Sequence, residues 1–185
     1  MMDELLAAAG MGLGQLDGLS FGRGPGSFTG VRIAASVVQG AAFGADLPVV
    51  PVSTLAALAQ GQLRFGSPSP VLVALDARMG ELYWGPYLPG DGGLMKPAGV
   101  EEVAAPHMAR LPPEGSWSGV GSGWAAHGEV LRERLGSRLL SVMPDRVCES
   151  RDIAILAAAE LAAGRWVSAE QALPLYLRDR VTAGT

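Results

Sequence analysis

The stretch FGRGPGSFTGVRIAAS, residues 21–36, places four glycines and a proline directly before a run of small apolar residues. The residues before it, Leu16–Phe21, predict a short strand, and those after it predict a helix from about Ser27 to Phe43. A second short strand, Val49–Val52, is followed by a helix that Ser53 can cap. Alternation of strand and helix with short connections is typical of a parallel α/β lobe.

The segment Gly-Ser-Pro-Ser-Pro, residues 66–70, separates this lobe from the rest of the chain. Residues 71–87 then predict a β-hairpin, and residues 100–110 predict a short helix after a loop. Further on come a strand, a glycine turn, a helix, a last strand, a C-terminal helix and an extended tail. We therefore predict two units, a first lobe over 1–66 and a second over 71–185, the latter including the C-terminal helix and tail.

Composition excludes several classes of protein. The chain is 49% hydrophobic and 17% charged, which is typical of a compact globular protein. Its net charge of −4 gives no electrostatic reason for it to hold RNA or an anionic membrane by itself. Cys148 is the single cysteine, which fits a reducing cytoplasm, and His107 and His127 lie too far apart to predict a metal site. The apolar stretch 33–45 is shorter than the roughly 18 residues of a membrane span.

The glycine loop invites comparison with phosphate-binding loops. A Walker loop needs a lysine after its last glycine, but Gly26 is followed by Ser27 and Phe28. A dinucleotide fingerprint starting at Gly24 needs a glycine where Thr29 stands. A stiff turn between strand and helix is the favoured interpretation. Binding of an anion at the helix N-terminus stays open as an alternative, with candidate residues Arg23, Gly24, Gly26 and Ser27.

Two further motifs could carry catalysis. GLSFG, residues 18–22, matches the pattern of a nucleophile elbow, but Ser20 lies inside the predicted strand, so coincidence is favoured over a serine hydrolase. Asp76 ends a predicted strand and is followed closely by Arg78. A carboxylate in that place can serve a nucleotide site, or it can cap the turn and pair with Arg78, which is the favoured interpretation.

The helix behind the glycine loop has too little polar surface for an ordinary surface helix. Its polar residues form one narrow stripe, Arg32, Ser36 and Gln39. Its small residues suggest a face that a second helix could approach closely, Gly30, Ala34 and Ala41. The helix is therefore either buried in its own lobe or pressed against another chain, and the residues alone leave both alternatives open.

Long blocks of the sequence resemble the TsaB (also called YeaZ) family of bacterial tRNA threonylcarbamoyladenosine biosynthesis proteins. They are GRGPGSFTGVR (22–32), GADLPVVPVSTLAALAQG (44–61) and ALDARMGELYW (74–84), extended by GSGW (121–124) and LPLYLRDRV (173–181). The resemblance implies an α/β fold of the actin/Hsp70/sugar-kinase type, built from two ribonuclease-H-like lobes. Family members begin with a strand bearing an Asp-Thr-type turn and two further strands, whereas this chain opens inside the first helix. The first lobe is therefore expected to be incomplete at its N-terminus, with two strands.

The resemblance also implies a function. The chain would be a non-catalytic partner of a TsaD-type subunit, which transfers the threonylcarbamoyl group to the adenosine beside the tRNA anticodon. A TsaE-type ATPase would be the third partner, the chain alone would form a homodimer, and tRNA would be reached only through the complex. No cofactor or metal is implied, with weak nucleotide binding at a complex interface left open. The alternatives are an ATPase-like enzyme of the same fold and, remotely, the serine hydrolase.

In the family, the helix after the glycine loop and the helix before it build both the homodimer and the TsaD contact. The resemblance therefore favours an intermolecular role for the apolar helix. The candidate interface residues are Phe28, Thr29, Val31, Arg32, Ala34, Ala35, Val38 and Ala41.

Overall fold

The computed structural model describes residues 2–66 and 68–178. Within them the helices are α1 (Met2–Ala9), α2 (Phe28–Ala45), α3 (Thr54–Gln62), α4 (Gly123–Leu135) and α5 (Ser150–Ala162). The strands are β1 (Leu19–Gly24), β2 (Val49–Ser53), β3 (Val71–Arg78), β4 (Glu81–Pro89), β5 (Met95–Pro97), β6 (Glu102–Ala104), β7 (Trp117–Val120) and β8 (Leu139–Met143). They form two sheets, one small and one large.

The large sheet has the strand order β5-β4-β3-β7-β8, with β6 also paired to β4. The predicted hairpin is the antiparallel pair β3–β4, and β7 and β8 continue the sheet parallel to β3. Helix α4 covers one face, where Trp84, Trp117 and Trp124 are buried together. The Trp124 indole N–H donates to the Leu72 carbonyl oxygen at 3.0 Å. A buried indole thus has its polar atom satisfied, which fixes α4 on the sheet.

The predicted helix over residues 100–110 is wrong. Glu102–Ala104 form β6 and pair antiparallel with Leu82–Trp84 of β4, and the predicted loop before them contains β5. Pro106 stands in the middle of the predicted helix, where its ring and its missing N–H are unfavourable. Strands of three residues are too short to show a sheet periodicity in the sequence, and here the edge of β4 decides their conformation.

The small sheet contains two parallel strands, β1 and β2, within the described residues, as the resemblance implied. Successive side chains of β2 point to opposite faces. Val49 packs with Phe21 of β1 against α2, and Val50 and Val52 pack on the other side against α5. Each face of the small sheet is thus covered by a helix.

Helix α5 packs against β1, β2 and α3, although the sequence assigned it to the second lobe. Its residues Ile153, Leu156 and Leu161 join the cluster formed by Val50 and Val52. After α5, the backbone of Val167 exchanges hydrogen bonds of 2.9 Å with Val49. The chain therefore returns to the small sheet after β8. The apolar residues of α5 cover the face of that sheet opposite α2.

Helix α3 lies between the two sheets. Leu55 and Leu58 pack with Val71 and Val73 of the large sheet, while Ala57 packs with the strands of the small one. The predicted cap is confirmed, because the Ser53 hydroxyl accepts hydrogen bonds from the N–H groups of Leu55 (3.1 Å) and Ala56 (3.3 Å). This helix joins the two lobes through a shared core.

Candidate partner-docking site

Most of α2 faces outward. Only Ala35, Val38 and Ala42 are buried, and they point to the small sheet. Four large apolar side chains are more than half exposed: Phe28 (53%), Ile33 (59%), Val37 (54%) and Phe43 (74%). Between them, Ser36, Gly40 and Gly44 recur at every fourth residue and are exposed. We call the exposed surface of these seven residues the outer face of α2.

The predicted interface residues differ in their exposure to solvent. Phe28, Thr29 and Arg32 are exposed, whereas Val31, Ala34 and Ala41 are half-buried. Ala35 and Val38 are buried in the core of the chain, so as interface residues they must be corrected. The small residues with free space above them are Gly40 and Gly44, where an added Cβ atom would meet nothing within 4 Å. A helix apolar on nearly every side does not reveal from sequence which side meets its own sheet.

Arg32 holds the N-terminal end of α2 to the C-terminal segment of the chain. Its guanidinium carbon lies 3.4 Å from the centre of the Phe28 ring, and its Nε donates to the Tyr176 hydroxyl at 2.8 Å. The rings of Phe28 and Tyr176 are 6.0 Å apart. These contacts fix Arg32 at the rim of the outer face, where a cation stacked on aromatic rings stabilises the arrangement.

A cleft of about 730 Å³ opens beside Arg32, between the first turn of α2, Tyr83 of β4 and the C-terminal segment. The Leu175 N–H donates to the Arg23 carbonyl oxygen at 2.8 Å, which lays this segment across the glycine loop. The motif LPLYLRDRV is thus described as far as Arg178, and its last residues, 179–181, lie outside the described residues. The cleft walls are mainly apolar, and Arg178 donates to the Ala77 carbonyl oxygen at 3.1 Å.

The glycine loop is a constrained turn. Gly24 has φ +101°, and a Cβ atom there would lie 3.1 Å from the Leu175 carbonyl oxygen, so glycine suits both the backbone angle and the space. Ser27 caps α2, its hydroxyl accepting from the Gly30 N–H at 3.4 Å. Gly26 and Ser27 reach the surface, but the Nε of Arg23 is buried without a hydrogen-bond partner. Anion binding at these residues remains a prediction.

A polar cluster that the sequence analysis missed lies behind the loop. The hydroxyls of Ser53 and Tyr87 both donate to Oε1 of Glu101. Burial, together with the negative charge of Glu101, raises the pKa of Tyr87, while Arg23 acts in the opposite direction. Ser53 belongs to the small sheet and Tyr87 to the large one, so the cluster ties the lobes together. The hydrogen-bonded partners are 14 and 48 positions apart, separations that no spacing rule links, so only the fold could reveal the cluster.

Asp76 and Arg78 lie at the turn between β3 and β4. The Arg78 backbone N–H donates to Asp76 Oδ1 at 2.8 Å, and the Arg78 guanidinium pairs with Oδ2 at 3.1 Å. His127 Nε2 stands 4.0 Å from Oδ1. Both carboxylate oxygens thus contact Arg78, which is the arrangement expected of a turn-capping residue. Nucleotide binding through Asp76 and Arg78 remains a prediction.

Ser20 lies inside β1 and lines a shallow groove with Ala154, Ala157 and other apolar residues of α5. It does not sit at the sharp strand-to-helix turn that a nucleophile elbow requires. Over residues 2–66 and 68–178, no three histidine, cysteine or acidic side chains are grouped so that they could hold a metal ion. Nor does any helix in those ranges have both the length and the apolar character needed to cross a bilayer.

Comparison with known proteins first defines the class. Residues 1–182 match the family model described as TsaD, tRNA N6-adenosine threonylcarbamoyltransferase. A solved structure from Pseudomonas aeruginosa, described as similar to peptidase YeaZ, superimposes with a TM-score of 0.87 at 43% identity, covering 96% of this chain and 81% of that one. A second structure, YeaZ from the same organism, gives the same values. The fold expected from the resemblance is thereby confirmed.

Curated relatives then narrow the assignment. The chain is 39% identical over 189 residues to the tRNA threonylcarbamoyladenosine biosynthesis protein TsaB of Escherichia coli K12, covering 98% of this chain and 79% of that protein. The TsaB protein of Haemophilus influenzae is also 39% identical, with 98% and 78% covered. The chain belongs to the TsaB (YeaZ) family of tRNA threonylcarbamoyladenosine biosynthesis proteins.

Proposed function

We propose that this protein is a non-catalytic subunit that binds a TsaD-type threonylcarbamoyltransferase through the outer face of α2. It would act in the cytoplasm, in the threonylcarbamoyladenosine modification of tRNA. The observation that carries the proposal is the exposure of Phe28, Ile33, Val37 and Phe43 on one helix. The names of the relatives support the pathway, and the exposed helix supports the role within it.

The outer face has the chemistry of a helix–helix contact. Contiguous exposed apolar surface is unusual on a monomeric protein and marks interaction sites. Gly40 and Gly44 leave an open channel along the middle of the face, with larger apolar side chains at its margins. Small residues at every fourth position let the backbone of a second helix approach closely, so that the larger side chains interlock around the contact.

Helix α1 offers a second exposed apolar surface. It spans eight residues, and none of them is buried. Its apolar residues Met2, Leu5, Leu6 and Ala9 share one stripe, and Leu5 is 68% exposed. A helix this short is unstable in water without tertiary contacts. We propose that α1 also contacts the partner, as the resemblance to the family implies.

The remaining partners follow from the same role. A second copy of the chain would occupy the outer face when the transferase is absent, giving a homodimer. A TsaE-type ATPase would join the complex, and tRNA would be bound only by the complex. The net charge of −4 supports this indirect route, since direct binding of tRNA relies on cationic surface. Both carboxylate oxygens of Asp76 contact Arg78 at the turn, and this structural use of the carboxylate supports a non-catalytic role for the protein.

The decisive variant is Gly40→Arg. The position is open, so the added side chain fits the isolated chain but fills the channel that a partner helix needs. We expect loss of co-purification with a co-expressed TsaD-type protein and a monomeric mass by light scattering, with unchanged far-UV circular dichroism. Ala126→Arg, which adds the same charge at an exposed position of α4, should behave like the unmodified chain. Full retention of the transferase by Gly40→Arg would refute the proposed docking face.

A further inference from the structure

A second groove, of about 630 Å³, lies at the C-terminal end of α2. Its walls come from the end of that helix, the turn into β2, and the segment after α5. Its lining residues include Phe43, Asp46, Trp166, Ser168 and Glu170. We call it the acidic groove. It meets the outer face of α2 only at Phe43.

Two exposed aromatic side chains line the acidic groove. Phe43 is 74% exposed and Trp166 is 53% exposed, whereas the chain's other tryptophans are buried. Leaving an indole and a phenyl ring in water costs free energy that burial would recover. The electron-rich faces of such rings also attract cations.

The groove is electrostatically negative. Asp46 and Glu170 are exposed at its rim, and none of the described residues that line it is basic. The Ser168 hydroxyl donates to Glu170 Oε2 at 2.7 Å, which lowers the pKa of Glu170 and keeps its carboxylate ionised. The C-terminal end of an 18-residue helix lies at the same place, and its dipole adds to the negative potential.

Basic residues next to the groove do not neutralise it. Arg165 precedes Trp166, but its guanidinium makes two hydrogen bonds to Glu160, at 2.6 and 2.8 Å. Glu160 belongs to α5, and neither residue of this pair is among the described residues that line the groove. Within the described residues, the two carboxylates of the acidic groove therefore have no cationic partner in the ion pairs of the structure.

Asp46 occupies a backbone conformation that favours glycine. It is the C-cap of α2, with φ +53° and ψ +46°, and its N–H donates to the Ala42 carbonyl oxygen. Glycine is the usual residue at such a left-handed cap, and an aspartate there is less favourable for the backbone. What aspartate adds at this position is an exposed carboxyl group in the groove that Phe43 also lines.

We propose that the acidic groove binds a lysine or arginine side chain carried by a basic segment of a partner protein. The aliphatic part of such a side chain would cover the rings of Phe43 and Trp166, and its charge would lie between Asp46 and Glu170. Arginine fits best, because a planar guanidinium stacks on an indole and pairs with carboxylates at the same time. This proposal does not depend on the partner being the transferase.

The test uses the indole N–H signal of Trp166 in a ¹H–¹⁵N spectrum of the full chain, assigned with Trp166→Phe. The probe is a short acetylated peptide of alternating arginine and serine. We expect a saturable shift that weakens with added salt, because exposed ion pairs are screened. A peptide with glutamine in place of arginine should leave the signal unmoved.

The double variant Asp46→Asn, Glu170→Gln should weaken arginine-peptide binding by about tenfold, since exposed ion pairs are individually weak. Glu129→Gln, which removes an exposed charge from α4, is the matched control and should bind normally. Equal binding by the double variant would refute the proposal. So would an equal shift with the glutamine peptide, which indicates apolar contact alone. A Trp166 signal that moves with protein concentration would instead assign the groove to a second copy.

Discussion

Helices α2 and α3 are similar in composition and opposite in environment. Both follow strands of the small sheet, both begin at a serine cap, and neither contains an acidic residue. Yet α3 has buried residues on every side, from Leu55 to Gly61, because it lies between two sheets. In α2 the buried residues are only Ala35, Val38 and Ala42, and the outer face carries exposed phenylalanine, isoleucine and valine.

The difference separates a helix that is buried on both sides from one that keeps an apolar side exposed. The hydrophobic effect favours burial of both helices but does not specify the partner surface. The large sheet supplies that surface for α3. For α2, the small sheet covers one side, and the other side stays open to a second chain. If this is correct, substitutions on α3 should affect the stability of the isolated chain, and substitutions on the outer face should affect assembly.

The largest effect is expected for Leu58→Ala on α3. Leu58 is 2% exposed and packs in the core shared with the large sheet. Its truncation leaves a cavity and should cost about 3 kcal/mol in the free energy of unfolding. Urea denaturation of the isolated chain measures the loss. Val37→Ala on the outer face should change the same quantity by less than about 0.5 kcal/mol, and equal losses would abolish the distinction between the two helices.

A smaller loss is expected for Arg64→Ala, just after α3. Arg64 Nη2 lies 2.7 Å from Oδ2 of Asp152, whose side chain is 1% exposed. Burial raises the pKa of Asp152, and Arg64 counteracts that shift. Without Arg64 the carboxylate stays buried and unpaired, which destabilises the fold. Since Arg64 is itself 23% exposed, water can enter, so the urea midpoint should fall less than for Leu58→Ala.

The loss of stability in Arg64→Ala should depend on pH, in a direction set by the pKa of Asp152. The folded-state pKa of Asp152 lies above its ordinary value and should rise further in Arg64→Ala. The protonated carboxyl is then favoured by folding, so the stability it contributes is present at low pH and is lost as pH rises through the folded pKa. The deficit of Arg64→Ala against the unmodified chain should therefore shrink on acidification. Arg165→Ala, at the exposed pair with Glu160, should show little change at any pH.

The smallest change in stability is expected for alanine substitutions at two helical glycines. Gly40→Ala on the outer face should raise the free energy of unfolding by up to about 1 kcal/mol, because alanine is the better helix former and the site is open. Gly61→Ala on α3 should lower it, since the new Cβ atom would lie 2.9 Å from Asp152 Oδ2. Thermal unfolding followed by circular dichroism distinguishes the two signs. A gain for both variants would mean that α3 is less tightly packed than the structure indicates.

Much of the local structure could be predicted from the residues. The glycine loop, the Ser53 cap and the β3–β4 hairpin depend on neighbours in the chain, and each is present where the sequence placed it. The residues of the candidate docking site were harder to predict. Phe28 and Arg32 are exposed as expected, but Ala35 and Val38 are not. The open positions are Gly40 and Gly44, which the interface prediction did not include.

The sequence by itself determined the order of the strands and helices outside residues 89–110, the turns that glycine and proline require, and the family. These properties depend on contacts within a few residues or on long matching blocks. Only the tertiary structure decided that α5 returns to the small sheet, that Arg64 meets Asp152 at a distance of 88 positions, and which side of α2 stays open. The physical reason is that apolar burial has no direction, so packing alone selects which surfaces meet.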